Sequence, residues 1–173
     1  MLKLMKIGLL ICVTSISACS SVDVPVTSES EGFNEPIDRT LVAFDKTNAF
    51  DRLNITRKKF MLRTFQQDDR LMEAARRHAE LMGKSGKFGH EFGPDTKFKR
   101  RIFAVGFQNS AGENLGVGYR SIDEAIAGWL NSPGHRKILL KPSYTAAGIA
   151  YAPNTSGKNP RLNHFWVLIV GKQ

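Results

Sequence analysis

Three short segments set a histidine or a carboxylate beside glycine or proline: Gly89-His90-Glu91, Gly112-Glu113-Asn114-Leu115 and Ser132-Pro133-Gly134-His135-Arg136. Glycine and proline interrupt helices, so these side chains are expected on loops, free to converge on a cleft. Two imidazoles and one carboxylate, His90, Glu113 and His135, have the donor chemistry of an open site for zinc or another divalent ion, with room for water or substrate. The same trio could do acid/base work, an imidazole taking a proton while Glu113 orients it. No Gly-x-Ser-x-Gly elbow, His-Glu-x-x-His helix or catalytic cysteine accompanies them, although Ser110 and Ser132 lie near the motifs as nucleophile candidates.

The elements that must position these residues have readable signals. Residues 37–60 show a plausible helical spacing through Leu41, Phe44, Asn48 and Leu53. A second helix is clearer: Leu71, Ala74, Ala75, His78, Ala79 and Met82 share one face, with Asp68 or Asp69 as N-cap and an end near Gly83 to Gly86. Thr96 to Val105 reads as a short basic helix. Ser121 and Glu124 make a capping box for a helix whose apolar face is Ile122, Ala125, Ile126, Trp129 and Leu130. Pro133-Gly134 interrupts it, and a brief turn over residues 135–140 follows. Residues 147–152 and 164–170 are strand-like and separated by a Pro-, Gly- and Asn-rich loop, as in an antiparallel pair. Helices closed by a strand pair give an α+β class.

Other residues have blander readings. His78 lies on an apolar face and is expected in the core; His164 either rims the cleft or sits on the surface. Trp129 is a core residue and Asp68 a helix cap. Glu113 could simply accept backbone N–H bonds, and Arg136 could fix its loop by pairing with an acid. The runs Arg57-Lys58-Lys59 and 97–101 read as solvated faces or contacts to an anionic envelope rather than to nucleic acid.

The chain's 173 residues have room for one domain plus a tail. Both cysteines, Cys12 and Cys19, lie at the start, which excludes a disulfide framework for the body. Lys3 and Lys6 precede an apolar run over residues 7–18 that is too short to span a membrane, as in a secretory signal. Ile16-Ser17-Ala18-Cys19 resembles a bacterial lipobox. That reading divides the chain into a signal peptide (1–18), an acylated Cys19 with a flexible acidic tether (19–36), and a domain (37–173). Residues 1–36 carry two lysines and four acids, so the net +9 of the chain leaves 23 bases against 12 acids in the domain. An acidic tether would hold a strongly basic domain near a membrane.

Taken in order, Asn54-x-x-Arg57 with Asp68 and Leu71, residues 75–82 (ARRHAELM), Phe88-Gly89-His90, Gly112-Glu113-Asn114-Leu115 with Gly118, residues 129–139 (WLNSPGHRKIL), Gly148-Ile149-Ala150 and Phe165-Trp166-Val167 resemble the CAP superfamily. That superfamily holds the cysteine-rich secretory proteins, antigen 5 and pathogenesis-related 1, and the likeness is to its short cysteine-free bacterial branch, over roughly residues 41–171. The resemblance implies an α-β-α sandwich with a small antiparallel sheet and a cleft where histidines and glutamates meet. His90, Glu113 and His135 match three of its four cleft members; the fourth, an acid in animal members, finds Asn131 or Ser132 here.

The expected function is an exported, lipid-anchored, monomeric module at the cell envelope, without nucleic acid. Its cleft would bind a small apolar or anionic ligand or a divalent metal such as zinc, and its partners would be the membrane, through Cys19, and a lipid or anionic envelope polymer. If the host has an outer membrane, Ser20 favours it. A metal-assisted or acid/base hydrolase is the alternative, and the balance leans away from an enzyme.

Overall fold

A computed structural model describes residues 44–173; the expected signal, Cys19 and tether lie outside them. Helix α1 (Lys46–Lys59) starts where Asp45 accepts the Thr47 N–H at 2.8 Å, nine residues later than the sequence spacing suggests. Helix α2 (Asp69–Ser85) buries Leu71, Ala74, Ala75, His78, Ala79 and Met82, the face read from the sequence. Asp68 is its cap, accepting from Arg70 and Leu71, and Gly86 ends it at φ +65°, a left-handed conformation that glycine adopts without a Cβ penalty.

One 3-10 turn (Pro94–Thr96) leads into α3 (Phe98–Ala104). Helix α4 (Ile122–Asn131) is capped by Ser121, whose Oγ accepts the Glu124 N–H at 3.1 Å. The reciprocal half of the capping box differs, because Glu124 reaches past Ser121 to the Arg120 N–H. Residues 133–139 form α5 (Pro133–Leu139) instead of a turn, since proline at its first position gives up a donor the helix would not have used.

The sheet has four strands in the order β1-β3-β4-β2: β1 (Gln66–Gln67), β2 (Ala111–Gly116), β3 (Ala146–Ala152) and β4 (Phe165–Gly171). It is mixed rather than purely antiparallel, because β1 pairs parallel with β3. Glu113 and its neighbours sit on edge strand β2, not on a loop. The Ala-Gly-Glu-Asn-Leu-Gly sequence of β2 contains no β-branched residue, and its conformation is set by pairing with β4, Glu113 opposite Ile169.

All seven residues of β4 are buried, because helices cover both faces. Phe165, Val167 and Ile169 pack with α2 and Ile102 of α3. Trp166, Leu168 and Val170 pack with Leu53, Ile126, Trp129 and Leu139 from α1, α4 and α5. The period of two along β4 thus feeds two apolar cores and makes three layers, an α-β-α sandwich. Gly148 of β3 sets how closely α2 approaches: a Cβ there would lie 2.1–2.3 Å from the Leu71 and Met72 backbone. The described residues 44–173 contain both cores and the whole sheet, the material a domain needs to fold by itself.

Candidate functional site

The site is built over β2 from both helical layers. Glu113 points to the α2/α3 side with its side chain only 2% exposed, and burial alone would raise its carboxyl pKa. Hydrogen bonds from His90 and Arg101, together with the Arg101 charge, outweigh that, so the carboxyl is held below the ordinary carboxylate range. Arg101 grips it with both ends of its fork, Nη1 to Oε2 at 2.8 Å and Nη2 to Oε1 at 2.9 Å. The same guanidinium donates to the Thr96 carbonyl at 2.9 Å and the His90 carbonyl at 3.1 Å, tying down the loop before α3.

His90 meets Glu113 through Nδ1, 2.8 Å from Oε1, while its side chain remains 54% exposed. An ionised carboxylate only accepts, so Nδ1 carries a proton toward Glu113 and Nε2 lies on the far side of the ring. His78 supports the arrangement from beneath. It is fully buried, donates from Nε2 to the Gly89 carbonyl at 3.0 Å and stacks on Phe92, which fixes the residue preceding His90. Burial lowers the His78 pKa, which keeps it neutral, and its Nδ1 has no hydrogen-bond partner among the described residues.

His135 comes from the opposite layer, in the first turn of α5. Its carbonyl accepts from Asn114 Nδ2 at 2.9 Å, so β2 positions Glu113 and His135 through adjacent residues that face opposite sides. Burial, and then the proximity of His90, lower the His135 pKa, which leaves a neutral imidazole at pH 7. Glu113 is thus spoken for on both oxygens, and an arriving cation would find ring nitrogens rather than a free carboxylate. Among the described residues no three His, Cys, Asp or Glu side chains are arranged to hold a metal ion. The donors that suit one are His90 Nε2 and the His135 ring, with Glu113 behind His90 as an orienting group.

Several residues do not stand where the sequence suggested. Arg101, central to the site, reads in sequence as the last member of a basic run; the available signal was its place three residues after Phe98, whose ring it covers at 5.4 Å. Glu113 takes side-chain donors, not backbone N–H groups. His164 is neither on the rim nor on the surface: it is buried, with Nδ1 2.8 Å from the Tyr151 hydroxyl. Arg136 pairs with no acid among the described residues and lies 4.9 Å over the Phe60 ring. Ser110 meets the Tyr144 hydroxyl at 3.1 Å.

Residues 50–170 match the cysteine-rich secretory protein family, CAP. The uncharacterized protein YkwD of Bacillus subtilis is 28% identical over 135 residues, 76% of this chain and 51% of its own length. The uncharacterized membrane protein YlbC of the same organism is 38% identical over 101 residues, 57% of this chain and 29% of its own. The chain therefore spans about half or less of these curated relatives. An extracellular SCP-domain protein from Bacillus anthracis superposes with a TM-score of 0.64 at 25% identity, covering 73% of this chain and 40% of that one. An outer surface protein from Borrelia burgdorferi has the same fold, with a TM-score of 0.63 at 24% identity over 75% of this chain and 96% of its own. Two helical layers around a four-stranded sheet, the His90–Glu113–Arg101 cluster at its edge and the match over 50–170 place this chain in the cysteine-rich secretory protein (CAP) family.

Proposed function

We propose that this is an exported envelope module that binds a small ligand or a divalent cation at the His90 and His135 imidazoles, and that it is held to a membrane through an acylated Cys19. One observation carries the binding reading. A buried carboxylate, neutralised by a nearly buried arginine, holds a single half-exposed imidazole with its free nitrogen outward. Folding alone does not call for a charged apparatus behind a surface histidine, whereas a carboxylate behind an imidazole is the usual support of a metal ligand. Zinc, when bound there, would act as a Lewis acid with open positions for a ligand or water.

The test is calorimetric titration of residues 36–173 with zinc. One equivalent is expected to bind, His90→Ala and His135→Ala each to abolish it, and Glu113→Gln to weaken it by about 10- to 100-fold. Because burial lowers the His135 pKa from its ordinary 6.5, that imidazole should remain available to zinc at pH 6.5, and its own protonation should compete with the metal only in more acid solution. Unchanged zinc binding in both histidine variants would sink the reading.

The anchor is supported by the lipobox-like sequence before Cys19 and by the extracellular and outer-surface proteins that share the fold. Growth with radioactive fatty acid should label the full chain and leave Cys19→Ala unlabelled; persistent label in that variant overturns the anchor.

A further inference from the structure

The C-terminal end of α1 carries a feature that the cleft does not use. Met61 follows the helix at φ +55°, in the left-handed region, with its side chain outward and the residue 95% exposed. Its N–H donates to the Lys58 carbonyl at 2.9 Å and the Leu62 N–H to the Arg57 carbonyl at 3.0 Å, the hydrogen-bond pair of a glycine-type helix stop. Glycine or asparagine suits that position; methionine adopts it at a steric cost and gains no packing in return. Strain retained at an exposed apolar residue points to a use outside the fold.

Its surroundings identify the use. Of the five large apolar side chains exposed among the described residues, Ile55, Phe60 and Met61 fall within seven consecutive positions. Arg136 of α5 stacks on Phe60, and Arg57 reaches the Leu139 carbonyl at 2.8 Å, so the end of α1 and α5 form one surface. A groove of about 520 Å³ on that surface is lined by Arg136, Lys137 and Lys141 with Pro133, Leu140 and Pro142, and by no acid. Lys58, Lys59 and Arg63 add exposed cations around Met61.

We infer that this face docks on an anionic phospholipid bilayer, with Met61 and Phe60 entering the headgroup boundary and the surrounding lysines and arginines meeting lipid phosphates. An envelope polyanion would satisfy the cations but offers no apolar layer, and the exposed Met61 decides for the bilayer. The inference shares with the proposed function only a location beside a membrane, and it needs neither Cys19 nor the histidines.

Residues 36–173, mixed with vesicles of equimolar phosphatidylglycerol and phosphatidylcholine, should co-sediment with them, should not do so with phosphatidylcholine alone, and should release as salt rises. Met61→Gly separates folding from docking: it should raise Tm by about 3 °C while weakening partitioning about tenfold. Lys58→Gln with Lys59→Gln should weaken it by about fivefold for each lysine. Equal binding by Met61→Gly and the parent chain would overturn the bilayer assignment in favour of a polyanion site, and equal or absent binding to both vesicle types would overturn docking altogether.

Discussion

Replacing Arg101 by methionine should cost about 3–5 kcal/mol of stability at pH 7, measured by urea denaturation, because it leaves the Glu113 carboxylate buried without its cation. The pH dependence identifies the cause. In the parent chain Glu113 has a depressed pKa, so its contribution is fully present above the unfolded-state value of 4.5 and is lost as pH falls through the lower folded-state value. In Arg101→Met two of the effects that lower that pKa are gone and burial dominates, so the folded state takes up a proton more readily than the unfolded chain. The deficit should therefore shrink as pH drops from 7 toward 4.5, the opposite sign to the parent. A deficit independent of pH would mean that Arg101 matters through packing alone. The double variant Arg101→Met/Glu113→Leu should regain most of the stability while leaving His90 unsupported, so its zinc affinity should stay low.

Arg57 should be nearly as costly to remove. It is fully buried and has no carboxylate partner among the described residues; five hydrogen bonds run from its guanidinium to four carbonyls, those of Arg63, Leu139, Lys141 and Tyr144, and its fork lies 4.1 Å over the Phe65 ring. Leu139 closes α5, so Arg57 supplies donors to carbonyls that a helix end leaves without internal partners. Burial, and then the nearby Arg63, lower its pKa to about 10, so it stays charged at neutral pH. Arg57→Met should lose about 4 kcal/mol, as several buried acceptors are orphaned at once. Arg57→Lys should lose about 3 kcal/mol, since an ammonium cannot span acceptors spread across a planar fork. A loss under about 1 kcal/mol in the lysine variant would show that charge rather than geometry matters. Both are checked by urea titration.

These two arginines show where the sequence stopped being informative. Helix α2 was legible to within a residue at its start and a few at its end because its apolar face, cap and stop all agree, and β4 was legible because six consecutive apolar residues, Phe165 to Val170, have few other readings. His90, Glu113 and His135 were visible as chemistry and through family likeness. Arg57 and Arg101 stand among lysines and arginines, and no pattern of charge distinguishes a guanidinium aimed inward at carbonyls or a carboxylate from one aimed at water. Strand β2 was hidden for a related reason: small and polar residues look like a loop, and only pairing with β4 makes them a strand. What was missed was decided by partners outside the residue's own helix or strand, from about a dozen residues away for Arg101 to more than eighty for Arg57.

The edges of the sheet have a further consequence. One edge is β1, only two residues long; at the other, Glu113 to Gly116 of β2 are buried despite having no strand beyond them. Beside β1, which pairs only with Ala146 and Ala147 of β3, the Ile149 N–H is taken by the Met72 sulfur of α2 at 3.3 Å, so a helix side chain stands where an incoming strand would pair. A protein gathered on a surface meets its own copies at far higher local concentration than in solution, where strand addition between neighbours would lock them together. A two-residue β1, the Met72 side chain beside β3 and the buried end of β2 all work against that reaction.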